Sequence, residues 1–144
     1  MTFEELQQEI EKDLAFDETQ LDTESLRIPQ LHNKYLKHLY AEKLLLKKLR
    51  NDMGELTRLK YEYYTGKMDE TTLKERGWEP FQLRVLKNDV EMYLDGDKDM
   101  NKLRGRIQLQ EERVDYIESV VKTIANRGWL IRNAIDWKKF LGGV

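Results

Sequence analysis

Apolar residues recur at alternating intervals of four and three along two long stretches of this chain. This spacing is typical of helices that pack along one another. The first apolar seam consists of Tyr35, Leu39, Leu46, Leu49, Met53, Leu56 and Tyr63, with Glu42 and Lys60 as polar breaks. The second consists of Met100, Leu103, Ile107, Val114, Ile117, Val121 and Ile124, with Gln110 as the break. The pattern predicts an all-α fold in which the two seams bury each other.

Capping residues and glycines indicate where the helices of the first half begin and end. Thr2 and Glu5 fit a capping box ahead of a first, acidic helix. Residues 15–28 have weak periodicity and are predicted to form a connector. Pro29 is expected to open the second helix, since proline is tolerated at the first helical position. Gly66 is expected to end it.

The second half is predicted to hold a loop and three more helices. Residues 66–80 are expected to be the loop, and a shorter helix should span residues 81–94. Asp97 is placed to cap a long helix, which Gly128 closes. The last helix then begins at Trp129. The predicted organisation is a helical body over residues 1–128 and a separate C-terminal helix over residues 129–144.

The predicted last helix carries apolar side chains around most of its circumference. They are Trp129, Ile131, Ala134, Ile135, Trp137, Phe140 and Leu141. A short helix of this kind needs cover on several sides. Docking into the core of the same chain would provide it. A subunit interface, where tryptophan is enriched, would provide it as well, and the pattern leaves both open.

Composition narrows the class of protein. The chain has 144 residues, of which 40 % are hydrophobic and 36 % charged, as in helical, strongly charged soluble proteins. No apolar run approaches the roughly 18 residues of a membrane span. The first residues lack the pattern of a signal peptide. Cysteine is absent, which excludes disulfides, thiolate nucleophiles and cysteine-based zinc sites and suits a reducing cytosol.

The net charge of −2 conceals an uneven distribution of charge along the chain. Residues 1–30 carry nine acidic and two basic side chains, whereas residues 31–67 carry nine basic and four acidic ones. An acidic arm ahead of a basic helix indicates one cationic and one anionic partner. Packing of the arm on the basic helix of its own chain or of a neighbour explains the same distribution.

Cations and tyrosines are concentrated at the end of the predicted second helix, in residues 58–67. Cations attract phosphates and flat rings stack on bases, so this mixture suits single-stranded nucleic acid bound without sequence preference. One helical stripe holds Lys43, Lys47, Arg50, Gly54, Arg58 and Tyr61, and a shorter line holds Lys60, Tyr64 and Lys67. A solvated helix end above buried aromatics is the competing interpretation. An acidic protein is a further possible partner for the same charge.

The sequence gives little support for a catalytic or metal-binding site. His32 and His38 are six residues apart, so they do not share a helix face as a metal-binding pair does. No glycine-rich nucleotide-binding loop is present. Residues 95–99 imitate the opening of a calcium loop, but Met100 and Arg106 occupy the positions that need glycine and glutamate. We therefore expect a protein that is not an enzyme and uses no cofactor or metal.

Four short blocks occur in a recognisable order along the chain: residues 6–10 of the acidic helix, residues 58–67, residues 97–102 and residues 126–129. Together they resemble the UvsY family of recombination mediators of T-even-type bacteriophages. The resemblance implies a non-enzymatic helper that binds single-stranded DNA coated by the phage single-strand-binding protein and loads the RecA-like phage recombinase. It also implies a ring-like or open-barrel homo-oligomer, hexameric or heptameric, in the cytoplasm of the infected bacterial host.

The resemblance also assigns roles to particular residues. Arg58 and Lys60 fall on the two basic DNA-contact positions of the family, although Thr57 and Tyr61 depart from its pattern. The predicted nucleic-acid-binding residues are Arg58, Lys60, Tyr61, Tyr64, Lys67, Lys43, Lys47 and Arg50. The predicted oligomerisation residues are Trp129, Ile131, Ala134, Ile135, Trp137, Phe140 and Leu141. The alternative function is a helical protein-binding adaptor or scaffold without affinity for DNA.

Overall fold

The computed structural model describes residues 1–83 and 85–143, and these residues form six α-helices. The helices are α1 (Phe3–Leu14), α2 (Leu21–Tyr64), α3 (Glu70–Arg76), α4 (Val90–Asp95), α5 (Lys98–Ala125) and α6 (Arg127–Leu141). The described residues contain no strand, which confirms the all-α prediction. None of the helices in this part of the chain is long and apolar enough to cross a membrane.

The chain divides into two compact units. Unit 1 comprises Met1–Lys43 and Glu112–Val144, and therefore contains α1, the first part of α2, the second part of α5, and α6. Unit 2 comprises Leu44–Glu111, with the rest of α2 and α5 together with α3 and α4. The C-terminal helix thus belongs to the same compact unit as the N-terminal helix.

Unit 1 has a core built from one face of each of its helices. The buried residues are Leu6, Ile10, Leu31, Tyr35, Leu39, Val114, Ile117, Val120, Val121, Ile124 and Ile131. The predicted capping box of α1 is confirmed, because the Glu5 amide donates to Thr2 Oγ1 at 3.1 Å and the Thr2 amide donates to Glu5 Oε2 at 2.8 Å. Arg113 of α5 pairs with Glu42 of α2 at 2.7 Å and links the two long helices within this unit.

The start of α2 corrects the prediction for Pro29. The helix begins at Leu21, and Pro29 lies inside it. A proline inside a helix removes one backbone hydrogen bond and costs about 3 kcal/mol. Tertiary contacts in unit 1 help to offset this cost: the buried carboxylate of Glu24 lies 3.8 Å from the guanidinium of Arg127, and Arg27 donates to the carbonyl of Asp13 at 3.0 Å. The predicted connector is therefore limited to residues 15–20.

Unit 2 is organised around the end of α2 and the beginning of α5. Its buried apolar residues are Leu46, Leu49, Leu59, Val90, Met100 and Leu103. Gly66 follows α2 with a φ of 73°, which confirms it as the helix terminator. The Met100 amide donates to Asp97 Oδ1 at 2.9 Å, which confirms Asp97 as the cap of α5. Arg50 pairs with Glu111 at 3.0 Å across α2 and α5 in this unit.

Two boundaries predicted after Gly66 are wrong. Part of the predicted loop is α3, which Asp69 caps by accepting a hydrogen bond from the Thr72 amide at 2.7 Å and which Gly77 ends with a φ of 71°. In the predicted helix over residues 81–94, the described residues before Val90 are not helical, and the end of the range belongs to α4; residue 84 lies outside the described residues. The ring of Phe81 instead packs against Tyr64, with 4.9 Å between the ring centroids.

The junction of α5 and α6 also differs from the prediction. α5 ends at Ala125 and α6 begins at Arg127, so Gly128 lies within α6 and does not close the preceding helix. Asn126 between them has αR backbone geometry, which lets the chain start a new helix at once. Arg127 anchors this start, because its buried guanidinium donates to the carbonyl of Leu14 in unit 1.

Candidate nucleic-acid interface

The outward face of α2 in unit 2 presents three predicted cations to solvent. Arg58 is 68 % exposed and pairs with Glu62, at 3.2 Å and four residues away on the same helix. Surface pairs of this kind contribute roughly 0–1 kcal/mol, so the guanidinium remains available to a phosphate. Arg50 is exposed beside Glu111, and exposed Lys47 forms no ion pair within the described residues. Lys43 is exposed in unit 1.

Tyr61 and Lys67 extend this cationic face at the end of α2. Tyr61 is half-buried, and the ammonium of exposed Lys67 lies 6.0 Å from the centroid of its ring. Gly54 lies on the same stripe, and a Cβ added there would meet nothing within 4 Å. The cationic face is defined here as Lys47, Arg50, Arg58, Tyr61 and Lys67. It offers charges for phosphates and one ring for a base.

Lys60 does not belong to the cationic face, and the expectation that it offers an open charge is corrected. Its side chain is only 6 % exposed. The ammonium lies 2.9 Å from Asp99 Oδ2 and 3.1 Å from Asp97 Oδ2, and it sits 3.9 Å from the centroid of the Trp78 ring. The cation is thus enclosed by two carboxylates and an indole.

Tyr64 is likewise turned inward, where it belongs to a cluster of aromatic rings. The cluster consists of Tyr63, Tyr64, Trp78, Phe81 and Tyr93, with centroid separations between 4.9 and 5.7 Å. Rings at these distances stabilise one another by about 0.5–1.5 kcal/mol per pair beyond their burial. Tyr64 is half-buried like Tyr61, but its ring packs within this cluster, whereas the Tyr61 ring lies beside the ammonium of Lys67.

Asp97 holds this interior together through several hydrogen bonds. Its Oδ2 accepts from the Tyr64 hydroxyl at 2.6 Å, and its Oδ1 accepts from the Met100 amide. Burial acts to raise the pKa of Asp97, but these hydrogen bonds and the nearby Lys60 outweigh burial and leave the pKa below its usual value. Burial and the bond to Asp97 raise the pKa of Tyr64. Sequence reasoning identified Asp97 only as a helix cap and missed Asp99 and Trp78, which no spacing rule connects to Lys60.

Most of the predicted oligomerisation residues on the C-terminal helix are exposed. Trp129, Ile135, Trp137, Phe140 and Leu141 are exposed, whereas Ala134 is half-buried. The rings of Trp137 and Phe140 stack with their centroids 5.6 Å apart. Ile131 is different, because it is 3 % exposed and belongs to the core of unit 1. Its assignment to an intersubunit surface is therefore corrected to a core position.

A metal site requires a group of ligating side chains in a suitable arrangement. No group of three or more His, Cys, Asp or Glu side chains there is arranged to hold a metal ion. His38 stacks on Tyr35 with 5.6 Å between the ring centroids, as a packing residue would.

The fold and these surfaces define a class: an all-helical protein with a cationic helix face and an exposed aromatic helix. A protein-family model described as recombination, repair and ssDNA-binding protein UvsY matches residues 9–144. The chain belongs to the UvsY family of recombination, repair and single-stranded-DNA-binding proteins. This membership confirms the family that the four sequence blocks resembled.

Individual relatives agree with this assignment. The recombination protein uvsY of Enterobacteria phage T4 is 28 % identical in an alignment over 144 residues that covers 99 % of each chain. Two crystal structures of the bacteriophage T4 recombination mediator protein UvsY have the same fold, each with a TM-score of 0.83 and 24 % identity. The lattice type IV structure matches over 97 % of this chain and 99 % of its own. The lattice type II structure matches over 99 % and 98 %.

Proposed function

We propose that this protein is a recombination mediator that binds single-stranded DNA through the cationic face of α2. In this proposal it helps a RecA-like recombinase to replace a single-strand-binding protein on the DNA. The main support for the DNA contact is the set of exposed cations beside Tyr61 on one face of α2. The chain also belongs to a family of single-stranded-DNA-binding proteins. The mediator role is supported by the T4 relative of the same fold, which is described as a recombination mediator protein.

The cationic face suits a contact that ignores base sequence. Lysine and arginine release counterions when they neutralise phosphates, so affinity depends on salt and is independent of sequence. Stacking of a base on Tyr61 would add about 1–3 kcal/mol. Four cations on one subunit give weak binding, and several copies in one particle would multiply it through effective concentration. Self-assembly is therefore part of the proposed mechanism.

The exposed aromatic residues of α6 are the proposed contact between subunits. Trp137, Phe140 and Trp129 expose large apolar surfaces that a single chain leaves in water. Aromatic residues of this kind are enriched at subunit interfaces. A contact between two different surfaces closes into a ring when the rotation fits, and we propose a hexamer or heptamer. The ring would place one copy of the cationic face from each subunit along a bound strand.

The mediator would act by binding and not by catalysis. It would hold DNA that a single-strand-binding protein has coated, weaken that coat by competing for phosphates, and present the strand to the recombinase in the cytoplasm of the phage-infected host. Energy for the exchange would come from the recombinase. The acidic α1 adds a surface of opposite charge, with Glu4 and Glu11 exposed. Basic surfaces of protein partners are the chemistry that such residues attract.

A salt titration with labelled oligothymidylate tests the DNA contact. The double variant Lys47→Ala with Arg58→Ala should bind more weakly and lower the slope of log affinity against log salt, by about 0.7 for each single-strand phosphate that is no longer neutralised. Lys74→Ala is the matched control, because Lys74 is an exposed cation of unit 2 that lies on α3 and is not part of the cationic face. Unchanged affinity in the double variant would contradict the proposal and favour the adaptor without DNA affinity.

A further inference from the structure

Lys60 is a cation whose surroundings do not suit contact with a phosphate. Its ammonium has two carboxylate partners, Asp97 at 3.1 Å and Asp99 at 2.9 Å, and Trp78 covers it at 3.9 Å. The local charge of these three ionised groups is net negative. An approaching phosphate would meet that negative charge and would have to displace a carboxylate from Lys60, whose side chain is 6 % exposed. Removing one partner of a buried ion pair is strongly unfavourable.

We propose that Lys60 is a positioning residue of the DNA interface and not a phosphate contact. This inference rests on the proposed function, because it assumes that the cationic face binds the strand. Lys60 would act by fixing the end of α2 against the start of α5, so that Arg58 and Tyr61 keep a defined orientation. The proposal therefore assigns different roles to Arg58 and Lys60, which are two residues apart on α2.

Three side-chain attachments on the inward side of α2 support this role. Lys60 binds Asp99 and Asp97, the Tyr64 hydroxyl donates to Asp97 at 2.6 Å, and the Tyr63 hydroxyl donates to the carbonyl of Glu79 at 2.6 Å. Together they fix the rotation of the last helical turns about the helix axis.

The helix geometry relates this attachment to the cationic face. Successive residues of an α-helix are turned by about 100°, so residues two apart point in nearly opposite directions. Arg58 therefore points outward because Lys60 points inward, and its exposure agrees with that direction. A loss of the inward attachments would let the outward side chains change orientation without removing any charge from the face.

The salt dependence of binding separates a positioning residue from a phosphate-binding one. Lys60→Met keeps much of the side-chain volume and removes the charge. We expect a several-fold loss of oligothymidylate affinity at every salt concentration, with the slope of the wild-type protein. Arg58→Ala, in contrast, should lower the slope by about 0.7 for each phosphate that Arg58 neutralises. A lowered slope in Lys60→Met would overturn the inference.

Asp97→Asn separates the two roles by whether it strengthens or weakens oligothymidylate binding. Asparagine is also a good helix cap, so the start of α5 is preserved. If Lys60 contacted DNA, removing the competing negative charge would tighten binding. Under our proposal Asp97→Asn weakens binding by a similar factor to Lys60→Met, with unchanged slope. Tighter or unchanged binding would overturn the proposal. This test separates the two roles even if Lys60→Met fails to fold.

A control variant distinguishes positioning from a general loss of stability. Lys34 in unit 1 also bridges two carboxylates, Glu9 and Asp13, both at 2.6 Å. Lys34→Met should lower the unfolding midpoint and leave DNA affinity unchanged when measured well below that midpoint. An equal loss of affinity in Lys34→Met would overturn the specific role of Lys60. If the wild-type protein itself binds no oligothymidylate, the proposed function fails instead.

Discussion

The hydroxyl of Tyr35 donates a 2.6 Å hydrogen bond to a carboxylate oxygen of Asp13, and this bond joins α2 to the end of α1 in unit 1. Tyr35 is fully buried, with an exposed fraction of 0 %. The ammonium of Lys34 lies 2.6 Å from the same oxygen of Asp13. The carboxylate at the end of the acidic helix is therefore held by one neutral and one charged donor.

Removing the Tyr35 hydroxyl should destabilise the protein. Tyr35→Phe keeps the ring in the core and deletes only the hydrogen bond, and bonds to charged groups contribute about 1.5–3 kcal/mol. Urea unfolding at one fixed protein concentration measures the change. Tyr40→Phe is the control, because Tyr40 is 66 % exposed and should leave the free energy of unfolding unchanged. Equal stability of the two variants would contradict the prediction.

The same carboxylate should make stability depend on pH in acid. Burial acts to raise the pKa of Asp13, but the hydrogen bonds from Lys34 and Tyr35 outweigh it and leave the pKa below its ordinary value of 3.8. A group with a lowered pKa in the folded state contributes stability above its unfolded pKa, and this contribution is lost as pH falls through the folded pKa. Asp13→Asn should be less stable at neutral pH and should lose less further stability on acidification. Urea unfolding across the acid range measures this, and parallel curves for variant and wild type would speak against it.

Gly54 inside α2 and Gly66 just after it should respond oppositely to alanine. Gly66 has a φ of 73°, a conformation that costs an L-residue roughly 1–2 kcal/mol, so Gly66→Ala should lower stability. Gly54 lies inside α2 with free space around a new Cβ, so Gly54→Ala should raise stability by about 0.5–1 kcal/mol. Thermal unfolding followed by circular dichroism compares them.

Gly54→Ala also reports on the course of the bound strand. If the sugar–phosphate chain passes close to α2 at Gly54, the added methyl group should weaken oligothymidylate binding although it stabilises the free protein. Binding unchanged from wild type would mean that the strand runs elsewhere on the cationic face.

The exposed rings of α6 should control the size of the particle. Trp137→Ala with Phe140→Ala removes a stacked pair that is 59 % and 72 % exposed, so the fold of unit 1 loses little. We expect sedimentation to show smaller particles with an unchanged circular dichroism spectrum. Leu26→Ala, which removes an apolar residue that is exposed elsewhere in unit 1, is the control. A double variant with the mass of the wild-type particle would remove the interface assignment.

Ile131 should behave as a core residue. Ile131→Ala leaves a cavity among buried side chains and should lower the free energy of unfolding by about 2–5 kcal/mol. Ile135→Ala, on the same helix but partly exposed, should cost much less. Urea unfolding of both variants at one concentration measures the difference. If both variants lost a similarly small free energy of unfolding, Ile131 would not be a core residue.

Local rules predicted the features that depend on a few neighbouring residues. Thr2 with Glu5, Gly66 and Asp97 were located correctly because a cap or a positive φ is decided within one helical turn. The helix over residues 70–76 was missed although Asp69 and Gly77 carry the same kind of signal. Pro29 was misjudged because the contacts of Glu24 and Arg27 that offset its cost involve residues distant in sequence.

The same limit applied to the candidate nucleic-acid interface. Arg58 and Lys60 look alike in the sequence, and the segment from Arg58 to Lys67 is one run of cations and rings. Their exposure differs because Asp97, Asp99 and Trp78 surround only one of them. These partners lie 18, 37 and 39 positions from Lys60, and no helical periodicity links residues so far apart. The division of this segment into an outward and an inward side therefore follows only from the folded arrangement.

By itself the sequence determined the helical class, the two long apolar seams, the uneven charge and the family. Each of these depends on side-chain periodicity, composition or the order of short blocks. Only the tertiary structure decided which cations face water and which terminal apolar residues remain exposed. The physical reason is that burial and ion pairing depend on the neighbours a side chain meets in space, and folding brings those neighbours from distant parts of the chain.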